Sequence, residues 1–264
     1  MKIAAIQASS RADDFVQKWQ GVDVGHAIDL LGKAAAQGAG LACLPEFYPL
    51  VGESELRASA RDLGIYVLAG LADGTPKRWC NTCTLISPQG EIVGRQTKNH
   101  PTAIEIDYGV VAGDSFDIFE TDVGRFGIVV CADFTFFHDG IQKLKSGGAD
   151  VVFNPALWFA ISGFYPHVID GRHLEYSLPI VGVNMARRAD GKNLPDFPPA
   201  GGYSTACVPP PVTSMEQLWD WFRSKPGGID ATRGVMQSLG PDEGMLLIDV
   251  DVEAVRRFPG YFSR

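Results

Sequence analysis

Short apolar runs of strand length recur along the chain, and helical segments and tight turns alternate between them. Apolar residues at helical spacing follow Asp23, a candidate N-cap, and stop near Gly38. Turns at residues 87–90 and 122–124 join two pairs of runs and predict hairpins, hence antiparallel strands. Alternating helices and strands with inserted hairpins predict an α/β fold, in which a mixed sheet is covered by helices.

The chain has 264 residues and is 45% hydrophobic, which suits a single domain over 1–264 with a substantial core. Residues 9–22 are expected to be irregular, and residues 189–213, rich in glycine and proline, largely loop. A segment at about 208–240 predicts a long excursion from the sheet. Its Trp219 and Trp221 are expected to cover a pocket mouth or to enter a subunit contact.

Charge and cysteine content exclude several classes of function. The net charge is −8 and basic residues form no run, which argues against nucleic acid and anionic membranes as partners. Residues 2–8 predict a strand rather than a signal peptide, and no apolar stretch is long enough to span a bilayer. The five cysteines do not suggest a disulfide framework, and Cys80 and Cys83 fall on opposite faces of a predicted strand, which argues against metal binding. We therefore expect a cytoplasmic protein.

A lone cysteine ends the apolar run of residues 128–130 and precedes a segment, up to residue 148, that can be helical. A cysteine at that place can be a nucleophile, because a helix N-terminus favours the thiolate. Cys131 can equally be a small core residue, since free cysteines are often buried.

Two more reactive side chains follow predicted strands, Glu46 after residues 41–44 and Lys98 after residues 91–97. Taken singly, Glu46 reads as a turn carboxylate and Lys98 as a surface lysine. Sites gather at the carboxyl ends of strands in sheets of this kind. Together with Cys131 they provide a base, a cation and a nucleophile, the set that covalent acyl transfer requires.

Motifs in family order resemble those of the nitrilase, or carbon–nitrogen hydrolase, superfamily. They include Leu44-Pro45-Glu46-Phe47, Lys98-Asn99-His100 and Val130-Cys131-Ala132-Asp133, and the other segments are residues 2–7, 81–82, 88–94, 124–129, 148–158, 172–175, 183–184 and 202–204. The resemblance implies a four-layer αββα sandwich and a face-to-face dimer. It also implies that Cys131 attacks an amide carbonyl or nitrile carbon, Glu46 is the general base, and Lys98 stabilises the developing charge. Water then hydrolyses the thioester, with neither metal nor organic cofactor.

The resemblance suggests further site residues. Glu105 matches a second glutamate between the lysine and the cysteine, although an exposed loop carboxylate is the alternative interpretation. The backbone N–H of Ala132, at a helix start, can donate to an oxyanion. Asn154, Trp158 and Phe159, at the end of another strand, are further candidates for oxyanion or substrate binding, although aromatic residues at such positions are more often core.

The substrate expected from these motifs is a small amide or N-carbamoyl compound, because Ala132-Asp133 looks more like the amidase and carbamoylase branches than like true nitrilases. Three alternatives stay open. A nitrilase would attack a small nitrile, and a binding protein on the same scaffold would catalyse nothing. A Cys–His hydrolase would pair Cys131 with His138 or His167, and would stay active after Lys98→Ala.

Overall fold

A computed structural model of the protein describes residues 1–159, 164–224 and 235–261. Its strands are β1 (Lys2–Gln7), β2 (Leu41–Cys43), β3 (Pro49–Leu50), β4 (Tyr66–Thr75), β5 (Arg78–Ile86), β6 (Ile92–Thr97), β7 (Ile118–Thr121), β8 (Gly124–Ile128), β9 (Val151–Ala156), β10 (Ile180–Asn184), β11 (Thr205–Val208), β12 (Val235–Ser238) and β13 (Gly244–Asp249). Its helices are α1 (Phe15–Trp19), α2 (Val24–Ala36), α3 (Glu53–Leu63), α4 (Ala103–Asp107), α5 (Ala132–Phe136), α6 (Asp139–Ser146), α7 (Phe164–Tyr176), α8 (Met215–Ser224) and α9 (Val252–Arg257).

The strands form two mixed sheets. One has the order β13-β1-β2-β4-β5-β6, with β3 also pairing with β4, and the other has the order β12-β11-β10-β9-β8-β7. Parallel pairs occupy the middle of each sheet, for example β1 with β2 and β8 with β9. The two hairpins predicted from the turns are confirmed as the antiparallel pairs β5–β6 and β7–β8.

Alternation along the first strand shows how the layers pack. Ile3 and Ala5 belong to a buried cluster that contains the apolar residues of the second sheet. Ala4 and Ile6 belong to another cluster, which they share with Leu30 and other residues of α2. Because neighbouring residues of a strand point to opposite faces, one face of this sheet meets the other sheet and the opposite face meets helices. The predicted αββα sandwich is confirmed.

Residues 189–213 are largely loop, as predicted, and their one strand is β11, which pairs with β10 and β12. Local predictions failed at three places. Residues 9–22 contain the short helix α1. The helical segment after Cys131 is interrupted at Phe137, whose extended backbone (φ −122°, ψ 148°) separates α5 from α6. Asp23 precedes α2 without capping it, because its carboxylate instead pairs with the ammonium of Lys18 at 2.9 Å.

The excursion predicted near residues 208–240 leaves the sheet at the end of β11 and returns in β12. Within it, α8 packs through Leu218 against Val212 and Tyr261, whereas Trp219 is 55% exposed. Residues 225–234 of this segment lie outside the described residues. Among the three ranges of the chain that the structure covers, no helix is long and apolar enough to cross a membrane.

Candidate active site

Glu46, Lys98 and Cys131 come from different strand ends and meet at one cavity. Glu46 follows β2, Lys98 directly follows β6, and Cys131 lies between β8 and α5. All three line a cavity of about 90 Å³, and Glu105 from α4 lines it as well. The two sheets therefore contribute a carboxylate, a cation and a thiol to the same small space.

Lys98 is a buried ammonium held between two carboxylates. Its Nζ lies 2.8 Å from Glu46 Oε1 and 2.7 Å from Glu105 Oε2, and its side chain is 2% exposed. Burial disfavours its charged form, but the carboxylates of Glu46 and Glu105 outweigh burial and hold the pKa of Lys98 well above its ordinary value. The surroundings of Lys98 therefore favour its charged form.

Glu46 accepts three hydrogen bonds. Lys98 Nζ and Asn81 Nδ2 both donate to its Oε1 at 2.8 Å, and the backbone N–H of Leu157 donates to its Oε2 at 2.8 Å. Burial nevertheless raises the pKa of Glu46; Lys98 opposes that rise and the like charge of Glu105 adds to it. A carboxyl group with a raised pKa is suited to taking up and returning a proton near neutral pH.

Cys131 occupies an unusual backbone position for a residue with a side chain, with φ 46° and ψ −110°. Its N–H donates to the carbonyl of Pro155 at 3.0 Å, which anchors this turn to the end of β9. Backbone strain of this kind costs on the order of 1–3 kcal/mol and persists only where the surrounding structure enforces it. The turn places the thiol in the cavity, next to Glu46.

The thiol of Cys131 is protonated at rest. Burial, and after it the neighbouring Glu46 carboxylate, raises the pKa of Cys131 well above its ordinary value, and Lys98 offsets only part of that rise. The expectation of a thiolate stabilised at a helix start is therefore not met. The helix α5 has only five residues, and two carboxylates stand beside one cation.

Glu105 is buried, so the alternative interpretation of it as an exposed loop carboxylate is wrong. Its Oε2 accepts hydrogen bonds from Lys98 Nζ and from both the backbone N–H (2.8 Å) and the hydroxyl (2.9 Å) of Thr102. Thr102 is the N-cap of α4, and the pair forms a capping box. The helix start therefore fixes the carboxylate that faces Lys98.

Asn81 is a site residue that sequence reasoning missed. Its Nδ2 donates to Glu46 Oε1 at 2.8 Å and to Glu105 Oε1 at 2.9 Å, so one amide group links the two carboxylates. The backbone carbonyl of Asn81 also accepts the backbone N–H of Lys98 at 2.9 Å. The available signal was an asparagine within a strand, next to mostly buried neighbours, because buried polar groups need partners.

The backbone around Glu46 is held on two sides. A Cβ built at Gly70 of β4 would lie 2.6 Å from the backbone nitrogen of Phe47, so only glycine allows this close approach. On the other side, the fully buried Lys18 donates to the carbonyl of Phe47 at 2.9 Å and pairs with Asp23.

Asp133 connects the loop after Lys98 to the turn at Cys131. Its carboxylate accepts the backbone N–H groups of Asn99 at 2.7 Å and of His100 at 2.8 Å. Because Asp133 lies two residues after Cys131, these bonds fix the segments that carry Lys98 and Cys131 relative to one another.

The remaining cavity wall is mostly apolar. Trp158 and Phe159, predicted to bind substrate, lie in it with their rings stacked at 5.2 Å, and Ala132 lies beside Cys131. Sequence reasoning missed the rest of this wall, which consists of Phe47, Ile104, Phe136, Leu157, Phe197 and Pro198. Asn154 does not line the cavity. Its Nδ2 donates to the carbonyl of Val129 at 2.7 Å and its Oδ1 accepts from the hydroxyl of Tyr165 at 2.8 Å.

The histidines of the alternative Cys–His interpretation face elsewhere. The ring of His138 is bonded to Arg172 at 2.8 Å and lies 3.8 Å from Glu175, and His167 is exposed. Neither lines the cavity. The described part of the 208–240 segment, which includes Trp219, is not among the residues that line the cavity, so a pocket cover or a subunit contact for this segment stays a prediction.

The sequence profile of the carbon–nitrogen hydrolase family matches residues 2–195, which is more than half of the chain. The chain belongs to the carbon–nitrogen hydrolase family. The superfamily predicted from the motifs is therefore confirmed, and the matched range includes Glu46, Lys98, Glu105 and Cys131.

Relatives in this family carry several activities. The chain is 27% identical to a nitrilase from Pyrococcus abyssi over 202 residues, which cover 67% of this chain and 76% of the nitrilase. It is 28% identical to an omega-amidase from Xenopus tropicalis over 169 residues, 52% of this chain and 61% of that protein. The chain thus spans less than two thirds of the omega-amidase.

Solved structures share the fold of this family member over nearly the whole chain. An amidase from Nesterenkonia sp. AN1 has a TM-score of 0.73 at 20% identity, and the match covers 97% of this chain and 95% of that one. A variant of the same amidase shows acrylamide added to its active-site cysteine, with a TM-score of 0.72 at 19% identity and a match covering 97% of this chain and 95% of that one.

Proposed function

We propose that the protein hydrolyses the carbon–nitrogen bond of a small amide or N-carbamoyl compound through a thioester on Cys131. One observation carries the proposal: Lys98 is bound between Glu46 and Glu105 at the cavity that also contains the Cys131 thiol. Burying two carboxylates and an ammonium is costly for the fold. Perturbed, buried ionisable groups at a cleft are typical of catalytic sites.

Acylation begins when Glu46 takes the thiol proton and the sulfur attacks the carbonyl carbon of the substrate. The carbonyl oxygen becomes negative as the tetrahedral intermediate forms. The ammonium of Lys98 has three N–H groups. Two of them donate to the carboxylates of Glu46 and Glu105, and the third can donate to the carbonyl oxygen of the substrate. The backbone N–H of Ala132 is the second proposed donor. Glu46 then returns its proton to the nitrogen, the carbon–nitrogen bond breaks, and ammonia or an amine leaves.

Deacylation repeats these steps with water. The oxygen of the water attacks the thioester carbon while Glu46 takes a proton from the water, and the carbon–sulfur bond then breaks. The sulfur recovers the proton and the carboxylic acid leaves. Glu105 keeps Lys98 charged and in place throughout, and Asn81 holds the two carboxylates apart.

The same site would serve a nitrilase, in which Cys131 attacks a nitrile carbon, and the Pyrococcus relative keeps that alternative open. A binding protein would have no need of three buried ionisable groups around a thiol. We also propose that the protein is cytoplasmic, which its free cysteines support. We further propose that it self-associates, which the exposed Trp219 supports.

Ammonia release from a panel of amides, N-carbamoyl amino acids and nitriles tests the proposal. Activity should require Cys131, so Cys131→Ala serves as the blank, and Glu46→Gln should abolish turnover while the fold is kept. Lys98→Ala should also be inactive. Full activity of Cys131→Ala would overturn the proposed chemistry. Full activity of Lys98→Ala would instead favour the alternative of a Cys–His hydrolase, in which Lys98 has no role.

A further inference from the structure

The cavity at Cys131 restricts what can be attached to the reacting carbonyl. Its volume of about 90 Å³ is far below the roughly 300–1,000 Å³ typical of pockets for drug-sized ligands. Apart from the ionisable groups, Thr102 and the indole N–H of Trp158, which is buried without a hydrogen-bond partner, its wall consists of apolar groups and the small Ala132. An acyl group in this space has to be short, and most of its contacts are with hydrocarbon and aromatic rings.

The charges of the cavity restrict the acyl group further. Among the lining residues that the structure describes, Lys98 is the one basic side chain, and two carboxylates already engage it. Within this described lining, a substrate carboxylate would thus meet two like charges and no cation without a carboxylate partner, and like charges brought together in this way cost several kcal/mol.

A cationic acyl group would gain few favourable contacts in the cavity to offset the loss of its hydration. The oxygens of Glu46 and Glu105 are already engaged by Lys98, Asn81 and backbone or hydroxyl donors. An ammonium would have to give up its water for aromatic rings alone, and those contacts are worth about 0.5–2 kcal/mol.

Phe197 also lines this space. Its ring lies 6.0 Å from that of Phe47 and 5.5 Å from that of Phe15, and it is carried by a loop. The hydroxyl of Tyr108 donates to the carboxylate of Asp196 at 3.0 Å and so ties that loop to the end of α4. Phe197 is therefore a large side chain of the wall that packs against other aromatic rings.

We infer that the substrate is an amide with a short, uncharged, apolar acyl group, and that Phe197 sets the length limit. The inference rests on the proposed function and narrows it: amides that carry a carboxylate, including N-carbamoyl amino acids and omega-amides, are excluded.

Three amides that differ at one terminal group provide the test: butyramide, succinamate and 3-aminopropanamide, ending in a methyl, a carboxylate and an ammonium. Butyramide should have a kcat/KM at least about 100-fold above succinamate, the fold-change equivalent of the like-charge cost, and should also exceed 3-aminopropanamide. Cys131-dependent turnover that favours either charged amide would overturn the inference and leave the proposed function standing. No turnover of any amide, nitrile or N-carbamoyl compound would overturn both.

Chain length tests the role of Phe197. Phe197→Ala should raise the ratio of kcat/KM for octanamide to that for butyramide by about 10-fold or more, because several methylenes gain room. Phe197→Leu should raise the same ratio by a smaller factor. This variant keeps the test possible if Phe197→Ala does not fold. Trp219→Ala removes an exposed ring outside the cavity and should leave the ratio unchanged. An unchanged ratio in both Phe197 variants would remove Phe197 as the length limit.

Discussion

Replacing Glu105 with glutamine removes one of the two carboxylates around Lys98 and keeps the shape of the side chain. Glu46 and Glu105 bind the same Lys98 nitrogen at 2.8 and 2.7 Å, so the bound oxygens lie on the order of 5 Å apart. At an effective dielectric constant of about 20, two unit charges at that distance repel by about 3 kcal/mol. This repulsion adds to the rise in the pKa of Glu46 that burial causes. Because about 1.36 kcal/mol corresponds to one pH unit, its removal can move a pH-dependent limb of the activity by at most about 2 units.

The sign of the effect follows from which form of Glu46 is active. Repulsion by Glu105 favours the protonated form of Glu46 and contributes to its raised pKa. Glutamine removes the repulsion and lowers that pKa. The acid limb of kcat/KM, where activity is lost as Glu46 gains a proton, should therefore move to lower pH by about 1–2 units. The plateau value of kcat/KM should also fall. The NH₂ group of the glutamine has to face either Asn81 Nδ2 or Lys98 Nζ, and both of these groups donate hydrogen bonds to the Glu105 carboxylate.

The assay is kcat/KM for a small amide across the acidic and neutral pH range, compared with Glu120→Gln. Glu120 is an exposed carboxylate on β7, so its replacement makes the same change in net charge away from the cavity and should leave the limb in place. An acid limb that stays fixed or moves to higher pH in Glu105→Gln would refute the reasoning. Glu46 would then not be the titrating base, or Glu105 would carry no charge beside it.

Three further predictions address the nucleophile, the backbone and the fold. After Cys80→Ser removes the most accessible competing thiol, iodoacetamide should label Cys131 first, as seen by peptide mass spectrometry, because its cavity admits a small amide. Gly70→Ala should lower kcat in steady-state kinetics, because a Cβ there displaces the backbone next to Glu46. Lys18→Met should lower the free energy of unfolding, measured with urea, by about 3–5 kcal/mol, because it leaves a buried carboxylate unpaired.

Each of these has a matched control. Lys98→Ala should slow labelling of Cys131, and labelling of a different cysteine first would contradict the assignment of the nucleophile. Gly25→Ala adds a methyl group with nothing within 4 Å and should not change kcat, so an equal loss in both glycine variants would contradict the close-approach argument. Lys33→Met removes an exposed lysine and should leave stability nearly unchanged, whereas a loss equal to that of Lys18→Met would contradict the buried pair.

The sequence allowed Glu46, Lys98 and Cys131 to be brought together because each lies within three residues of a strand end, where functional sites gather in sheets of this kind. Asn81 could not be found in this way. It lies inside β5, and its importance depends on two carboxylates that arrive from separate segments of the chain. Phe197 likewise reaches the cavity from a loop whose position is set by tertiary contacts.

Local rules failed where a distant partner competed with them. Asp23 is at the position of an N-cap, yet the buried ammonium of Lys18 has no other carboxylate among its bonded partners and takes this one. An unpaired buried ammonium would cost more than the roughly 1 kcal/mol that a side-chain cap contributes. The tertiary pair therefore outweighs the local preference.

The charge balance of the site explains why a buried cysteine can be both protected and reactive. Two carboxylates and one ammonium leave one negative charge in excess, and this excess together with burial keeps the proton on the thiol. A neutral thiol is a poor nucleophile, so Cys131 should react slowly with electrophiles that do not bind in its cavity. In the proposed mechanism, binding of an amide changes that balance, because negative charge that would form on sulfur can pass to a carbonyl oxygen facing Lys98. Activation of Cys131 would then be coupled to the presence of a bound amide, and the raised pKa of Glu46 would let the same carboxyl group deliver the proton to the departing nitrogen.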